Sequence, residues 1–312
     1  MIAKKEQLSG KVLEQVFQVL EKTNEVIIDK PEVTQLTMAC FLAGGHLLVE
    51  DQPGMGKTSL LKTFAKLLGL SHQRIQCTND MLPSDIIGTP IYNSEKQSFV
   101  FHKGPLFSNF VLADEINRAT PKTQSACLQA MEELQVTVDR ETYALPKPFY
   151  FVATQNPRDN ASTFALPQSQ LDRFFMRLSI GAPSREAERK ILMGKDRHQW
   201  VEELTPLMSA QDLLQGQKEV EAIHIADRVL DFLQDIVEKT RQQSSGLSPR
   251  GARDFLKAGK AMAFLEGRSF VIPEDLQRVG TASLGHRLSP SHSSAKSGDE
   301  LAKEIVFSVP AP

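Results

Sequence analysis

Residues 44–58 read Gly44-Gly45-His46-Leu47-Leu48-Val49-Glu50-Asp51-Gln52-Pro53-Gly54-Met55-Gly56-Lys57-Thr58. A short apolar run, Leu47–Val49, leads into a Gly-containing loop, and a helical pattern follows through Leu60, Phe64, Leu67 and Leu68 until Gly69 stops it. Strand, loop and helix in this order form a mononucleotide-binding unit. Residues 51–58 fit G-x-x-x-x-G-K-[ST] except that Asp51 stands where the first glycine belongs. The chemistry needs these residue types. Gly54 and Gly56 let backbone N–H groups curl around phosphates, Lys57 reaches the β and γ oxygens, and Thr58 offers a hydroxyl to Mg2+. The helix that follows points its positive N-terminus at the same anion. Gln52, Pro53, Gly54, Met55, Gly56, Lys57, Thr58 and Ser59 are therefore the candidate ATP contacts. The bland alternative is a Gly-rich turn entering an ordinary helix.

Outward from this unit, Val111-Leu112-Ala113-Asp114-Glu115 is an apolar strand ending in two carboxylates. In open α/β sheets ligands bind at the carboxyl ends of the strands, so Asp114 is a candidate Mg2+ ligand, through water, and Glu115 a candidate for polarising the attacking water. Other apolar runs occur at 74–77, 110–113, 149–154 and 174–180, with a helical stretch at 120–134 whose Thr120-Pro121 start reads as cap and first turn. Alternating strands and helices predict a parallel sheet. Upstream, residues 7–28 have helical spacing, and Asp29-Lys30-Pro31 reads as the cap of a second helix ending at Leu42. Beyond Pro183 only helical patterns remain, at 185–193, 225–242, 249–265 and 273–284, and the Ser-rich stretch 289–299 reads as exposed or frayed. The expected division is an N-terminal helix packed on the core over 1–24, an αβα nucleotide-binding domain over 25–182 and a smaller all-α lid over 183–312.

Composition narrows the function. The 312 residues carry 36 Lys+Arg against 38 Asp+Glu, a formal net charge of -2, which supplies no global field for coating duplex DNA. Cys40, Cys77 and Cys127 are far apart without a C-x-x-C pair, so buried thiols are expected rather than a zinc site or disulfides. Lys4, Lys5, Glu6, Lys11 and Glu14 interrupt the apolar residues of the N-terminus, and no window approaches the roughly 18 apolar residues of a membrane span. A cytoplasmic location is expected.

With Lys57 and Glu115 in place, the chain resembles the MoxR family of AAA+ ATPases over nearly its whole length. The resemblance rests on the order and spacing of several segments. These are Gly44–Leu48 with Pro53–Thr58, Leu82-Pro83-Ser84-Asp85-Ile86-Ile87-Gly88-Thr89, Gly104-Pro105-Leu106-Phe107, Leu112–Ala119, Ala130-Met131-Glu132-Glu133, Ala153-Thr154-Gln155-Asn156-Pro157 and Leu171-Asp172-Arg173-Phe174. It implies an AAA+ P-loop αβα sandwich on a five-stranded parallel sheet with a helical lid, assembled into a ring, a hexamer, whose ATP sites lie between subunits.

By the same resemblance, Asn156 is the first sensor, holding the lytic water beside Glu115, and Arg173 is an arginine finger that reaches a neighbour's γ-phosphate. An ion pair with Asp172 is the simpler reading of Arg173. Ser248-Pro249-Arg250 matches the second sensor, with Arg253 one turn on as the substitute. Ser248 and Pro249 look like cap and first turn, so Arg250 sets a cation against a helix dipole, a local cost that a bridged phosphate would offset. Residues 83–109 and 135–148 resemble the strand-bearing insertions of the MoxR and chelatase branch, which face the pore or a partner. Ile27 and Ile28 correspond to the adenine-holding segment. Three positions depart from the family pattern: Asp29 and Arg140 stand where glycine is usual, and Gln168 replaces a glutamate before the finger helix.

The function expected from these residues is Mg-ATP hydrolysis. The resemblance extends it to a chaperone-like remodelling or maturation factor whose partner is a von Willebrand factor A domain protein. A metal-chelatase or nucleic-acid-restriction motor is the alternative within the branch. A non-hydrolysing nucleotide switch is the alternative outside it, and the intact Glu115, Asn156 and Arg173 speak against that.

Overall fold

The computed structural model describes residues 10–95, 97–156, 163–194, 197–288 and 296–312. Helices Lys11–Val26 (α1) and Pro31–Leu42 (α2) precede the first strand, Leu47–Glu50 (β1), which is followed by Lys57–Leu67 (α3) and His72–Gln76 (β2). Pro83–Ile87 (α4) leads into an antiparallel hairpin, Gly88–Asn93 (β3) with Ser98–Lys103 (β4). Next come Phe110–Asp114 (β5), Pro121–Glu133 (α5), a second hairpin of Gln135–Val138 (β6) with Glu141–Ala144 (β7), and then Tyr150–Gln155 (β8), Gln168–Leu171 (α6) and Met176–Leu178 (β9). The remaining elements are helical: Arg185–Met193 (α7), Arg197–Glu203 (α8), Ala210–Glu221 (α9), Asp227–Gln243 (α10), Pro249–Leu265 (α11), Pro273–Leu284 (α12) and Gly298–Ser308 (α13).

The five main strands run parallel in the order β2-β5-β8-β1-β9. Burial follows from this order. The central strands β5 and β8 are buried almost throughout and read as unbroken apolar runs, whereas the edge strand β2 is largely exposed. Alternate residues enter opposite layers. Leu47, Val49, Phe110, Leu112, Tyr150 and Val152 join a core with α1, α2, α3 and the C-terminal helices, while Leu48, Val111, Ala113, Phe151 and Ala153 join Cys127, Leu128 and Met131 of α5. Phe41 centres the first layer, with edge-on contacts to Phe64 and Phe110 at 5.6 Å and a tilted one to Tyr150 at 4.9 Å. The Tyr150 hydroxyl, inside this apolar layer, donates to the Phe41 carbonyl at 2.9 Å and accepts from Gln217 at 2.6 Å.

Several sequence readings need correction. Asp29 does not cap α2: the cap position is Lys30, with no side-chain bond, and Asp29 lies in the left-handed region at φ 65. The usual glycine of the family therefore answers a backbone requirement that Asp29 meets at a cost. The stretch 289–299 is not uniformly frayed. Residues 289–295 lie outside those described, but Ser297 and Glu300 form a reciprocal capping box that starts α13. Helices α8, α9 and α13 are additions to the sequence reading. The three cysteines are buried thiols, and among the described residues no helix is long and apolar enough to cross a membrane.

The β6–β7 turn explains the second departure. Val138 pairs with Glu141 across a two-residue turn, Asp139-Arg140, with φ 47 and 75. Positive φ at both positions is the hairpin geometry that favours glycine at the second. Arg140→Gly is expected to raise stability by about 1 kcal/mol by relieving this left-handed residue. Thermal unfolding reads the change, and an unchanged or lower midpoint would contradict it.

Candidate functional site

The loop 51–56 joins the carboxyl end of β1 to α3. Gly54 and Gly56 have φ 83 and 84, and a Cβ at Gly54 would meet nothing within 4 Å, so conformation rather than crowding demands glycine there. Gly56 is the cap residue of α3 and brings no side-chain bond to it, which leaves the helix's first N–H groups pointing at the loop. The Lys57 ammonium lies across the loop, donating to the Asp51 carbonyl and, at 3.4 and 3.5 Å, to those of Gln52 and Gln155. Burial lowers its pKa, while the carboxylates of Asp51, Asp114, Glu115 and Glu50 pull it back up.

Because β8 lies between β5 and β1, the ends of all three meet. A cavity of about 330 Å³ is lined by Pro53, Gly54, Gly56, Lys57, Thr58, Ser59, Arg74, Gln76, Asp114, Glu115 and Thr154. Gln52 and Met55 belong to the loop without lining this cavity, and Asn156 directly follows β8, whose Thr154 does line it. Thr154 organises the acids: its hydroxyl donates to Asp114 Oδ1 at 3.1 Å and accepts the Glu115 N–H at 3.0 Å. Glu115 sits at φ 57, and its Oε2 accepts from Gln76 and Arg118, both at 3.2 Å. A glutamate held in this sparsely populated region at a ligand cavity is the kind of strain that collects at functional sites. Arg74 Nε donates to Asp114 Oδ2 at 2.6 Å. Arg74, Gln76 and Thr154 were missed by the sequence reading, although the alternation of β2 puts Arg74 and Gln76 on one face next to the acids. The donor set suits a hard cation: Thr58 and Asp114 present oxygens to one cavity, the ligand type Mg2+ takes. Ile27 and Ile28 do not line it. Ile27 is buried at the end of α1, and its segment reaches the loop indirectly, through Lys30 to the Ala182 carbonyl at 2.7 Å and Gly181 N–H to Asp51 at 2.9 Å.

A larger cleft, about 570 Å³, opens at the other edge of the sheet, beside Gly44, Gly45 and His46, which precede β1. Arg173, Arg250, Arg253 and Lys257 line it with Glu132 and Asp254. Arg173 is not paired with Asp172. It meets Glu132 at 3.1 Å, and the same carboxylate accepts from Arg250. Arg250 occupies the first turn of α11 as expected, with Ser248 capping the Gly251 N–H at 3.0 Å, and Glu132 answers the misplaced cation. The geometry thus gathers Arg250 with Arg173, and neither lines the phosphate cavity of its own chain. His46 stands at the cleft floor, buried. Its Nδ1 accepts the Phe151 N–H at 3.1 Å, so Nε2 carries the proton and donates to the Met131 carbonyl at 3.2 Å; burial pulls the imidazole pKa down to about 4.

A family model described as the ATPase family associated with various cellular activities matches residues 46–176, and one for the AAA lid domain matches 239–306. Chaperone MoxR1 of Mycobacterium tuberculosis is 35% identical over 300 residues, covering 92% of this chain and 78% of that protein. The chain belongs to the MoxR family of AAA+ ATPases. YeaC of Bacillus subtilis is 42% identical over 300 residues, 94% of this chain and 93% of its own. A solved structure of a candidate ATPase from Cytophaga hutchinsonii superposes with a TM-score of 0.87 at 32% identity, covering 96% of both chains.

In this MoxR-family chain Asp51, which departs from the general loop pattern, and Gln168, the third departure from the family pattern, both have local explanations. Asp51, in the place of the first loop glycine, turns its carboxylate to the end of β9, where it accepts the N–H groups of Ile180 at 2.5 Å and Gly181 at 2.9 Å and the Ser179 hydroxyl at 3.2 Å. It fastens the loop's first residue to the segment that leaves the sheet. Gln168 donates to the His286 carbonyl at 2.9 Å, a contact a glutamate cannot make while ionised.

Proposed function

We propose that this chain hydrolyses Mg-ATP. The observation that carries the reading is that Lys57, Thr58, Asp114 and Glu115, from separate turns of a parallel sheet, line one small cavity with the helix N-terminus of α3. Gln52–Ser59 wrap the phosphates, and Lys57 leaves its carbonyl contacts for the β and γ oxygens. Ile27 and Ile28 flank the adenine. Thr58 and Asp114 would hold Mg2+, the latter through water; when bound, the ion neutralises phosphate charge. Glu115 orients and polarises the lytic water, and Asn156 holds that water from the next strand end.

Arg173 works in trans, in a ring, here proposed to be a hexamer. Its cleft lies at the opposite edge of the sheet from the phosphate loop, about 13 Å away along the four residues of β1. The same placement assigns Arg250 to the neighbour's nucleotide beside Arg173, with Arg253 lining the cleft behind them. The cellular role proposed is chaperone-like maturation of protein clients, supported by the name of the relative Chaperone MoxR1, and the partner proposed with it is a von Willebrand factor A domain protein. A chelatase-type motor has one observation in its favour, a 28% match over 203 residues to the magnesium-chelatase subunit ChlI of Nephroselmis olivacea, which covers 63% of this chain and 56% of that one.

Purified protein is expected to release phosphate from ATP with Mg2+ and not in excess EDTA. Lys57→Ala is expected to weaken binding of a fluorescent ATP analogue by about 10²-fold or more, as for loss of a buried charge-assisted contact. Wild-type affinity in Lys57→Ala, or turnover indifferent to EDTA, would refute the assignment. Glu115→Gln held in ATP, used as bait, tests the client role: capture of a von Willebrand factor A protein supports it, and capture of chelatase subunits favours the second reading.

A further inference from the structure

Arg287, in the turn after α12, is an arginine with a side chain only 2% exposed, and nothing assigned so far uses it. Its Nε donates to Asp172 Oδ1 at 3.0 Å. Nη1 donates to the carbonyls of Ser283 at 2.9 Å and Phe175 at 3.4 Å, and Nη2 to the carbonyls of Phe174 at 2.9 Å and Asp172 at 3.3 Å and to Asp254 Oδ2 at 2.6 Å. A guanidinium has five N–H donors in a fixed fork, and here all of them are engaged. Three of these contacts fall on the residues flanking Arg173 in sequence, Asp172 and Phe174. The neighbouring His286 adds Nε2 to the Phe174 carbonyl at 2.9 Å.

Of the other three contacts, the one to Asp254 reaches the helix that bears Arg250. Asp254 is one turn beyond Arg250 on α11. The Asp172 carboxylate also accepts from Ser248 Oγ at 3.0 Å, the residue that caps α11. One buried cation therefore joins the backbone around Arg173 to the first turns of α11. Replacing buried ion clusters by apolar residues is often neutral for stability, so tight burial of Arg287 between two carboxylates points to orientation rather than to folding energy.

We propose that Arg287, through Asp172, is the positioning residue that holds Arg173 and Arg250 as one rigid unit aimed at the neighbouring subunit. The inference rests on Arg173 acting in trans, and complementation in mixed rings separates the two claims. Rings of Arg173→Ala with Glu115→Gln subunits come first: no recovery, with mixed rings demonstrated, removes the trans reading itself. Given recovery, Arg287→Gln and Asp172→Asn are each expected to bind an ATP analogue within about twofold of wild type and to lose turnover by about 10²-fold, the effect of misplacing a reacting group by about 1 Å. Each should regain activity when mixed with Glu115→Gln, which supplies an intact finger, and none when mixed with Arg173→Ala. Recovery with Arg173→Ala would place the defect in the nucleotide's own subunit and overturn the proposal, as would wild-type turnover or failure to recover with Glu115→Gln. Asp172→Asn leaves Arg287 paired with Asp254, so it decides the question if Arg287→Gln does not fold.

Discussion

Glu115→Gln is expected to lower ATP turnover by about 10²- to 10⁴-fold, the usual worth of a positioned general base, while nucleotide affinity stays within severalfold. The substitution is nearly isosteric. The amide side chain still fits the φ 57 turn whose N–H bonds Thr154, and its carbonyl oxygen can still accept from Gln76 and Arg118. What disappears is the negative charge that draws a proton from water. Lys57, Thr58 and the N-terminus of α3, the groups proposed to bind the phosphates, are untouched. Phosphate release and analogue binding measured on the same preparation separate the two. Turnover within tenfold of wild type would remove Glu115 from the water-activating role, and loss of binding in parallel would mean that the variant had disturbed the loop instead.

Arg173→Ala is expected to cost about 10³- to 10⁵-fold in turnover, the range for an arginine finger, with little change in affinity for ATP. The reason is geometric. Arg173 precedes β9, whereas the phosphate loop follows β1, and those strands are parallel neighbours, so the two groups lie at opposite ends of the sheet. That separation is why the role proposed for Arg173 lies in another subunit. The Glu132 carboxylate holds the Arg173 guanidinium at 3.1 Å and also accepts from Arg250, so a phosphate must compete with it for both arginines. Recovery of turnover on mixing Arg173→Ala with Glu115→Gln is the measurement. If Arg173→Ala were as active as wild type, the cleft would be an ion-pair cluster without a catalytic part.

Much of the candidate nucleotide site was legible in the sequence because its parts are local. A glycine-rich turn, a lysine and a hydroxyl side chain within eight residues, placed between a strand pattern and a helix pattern, constrain one another through the backbone alone. The acid pair could be read for the same reason, since four apolar residues of β5 point to where Asp114 and Glu115 emerge. Proline at the first helical position also marked the starts of α5, α11 and α12 correctly, because it removes an N–H that needs no partner there. Helix α9 was less legible. Its signal was the capping box of Ser209 and Asp212.

Spacing along the chain could therefore establish a glycine-rich strand–loop–helix, a parallel sheet and an acidic strand end, since each is set by interactions a few residues apart. Which strand lies beside which was a matter for the folded chain. Placing β8 between β5 and β1 brought Thr154 under both acids, 39 and 40 residues away in sequence. Closing the C-terminal helices onto the sheet brought Arg287 to Asp172 across 115 residues. Such contacts leave no periodic trace, because a buried charge is compensated only by whatever carboxylates and carbonyls the packing delivers to it.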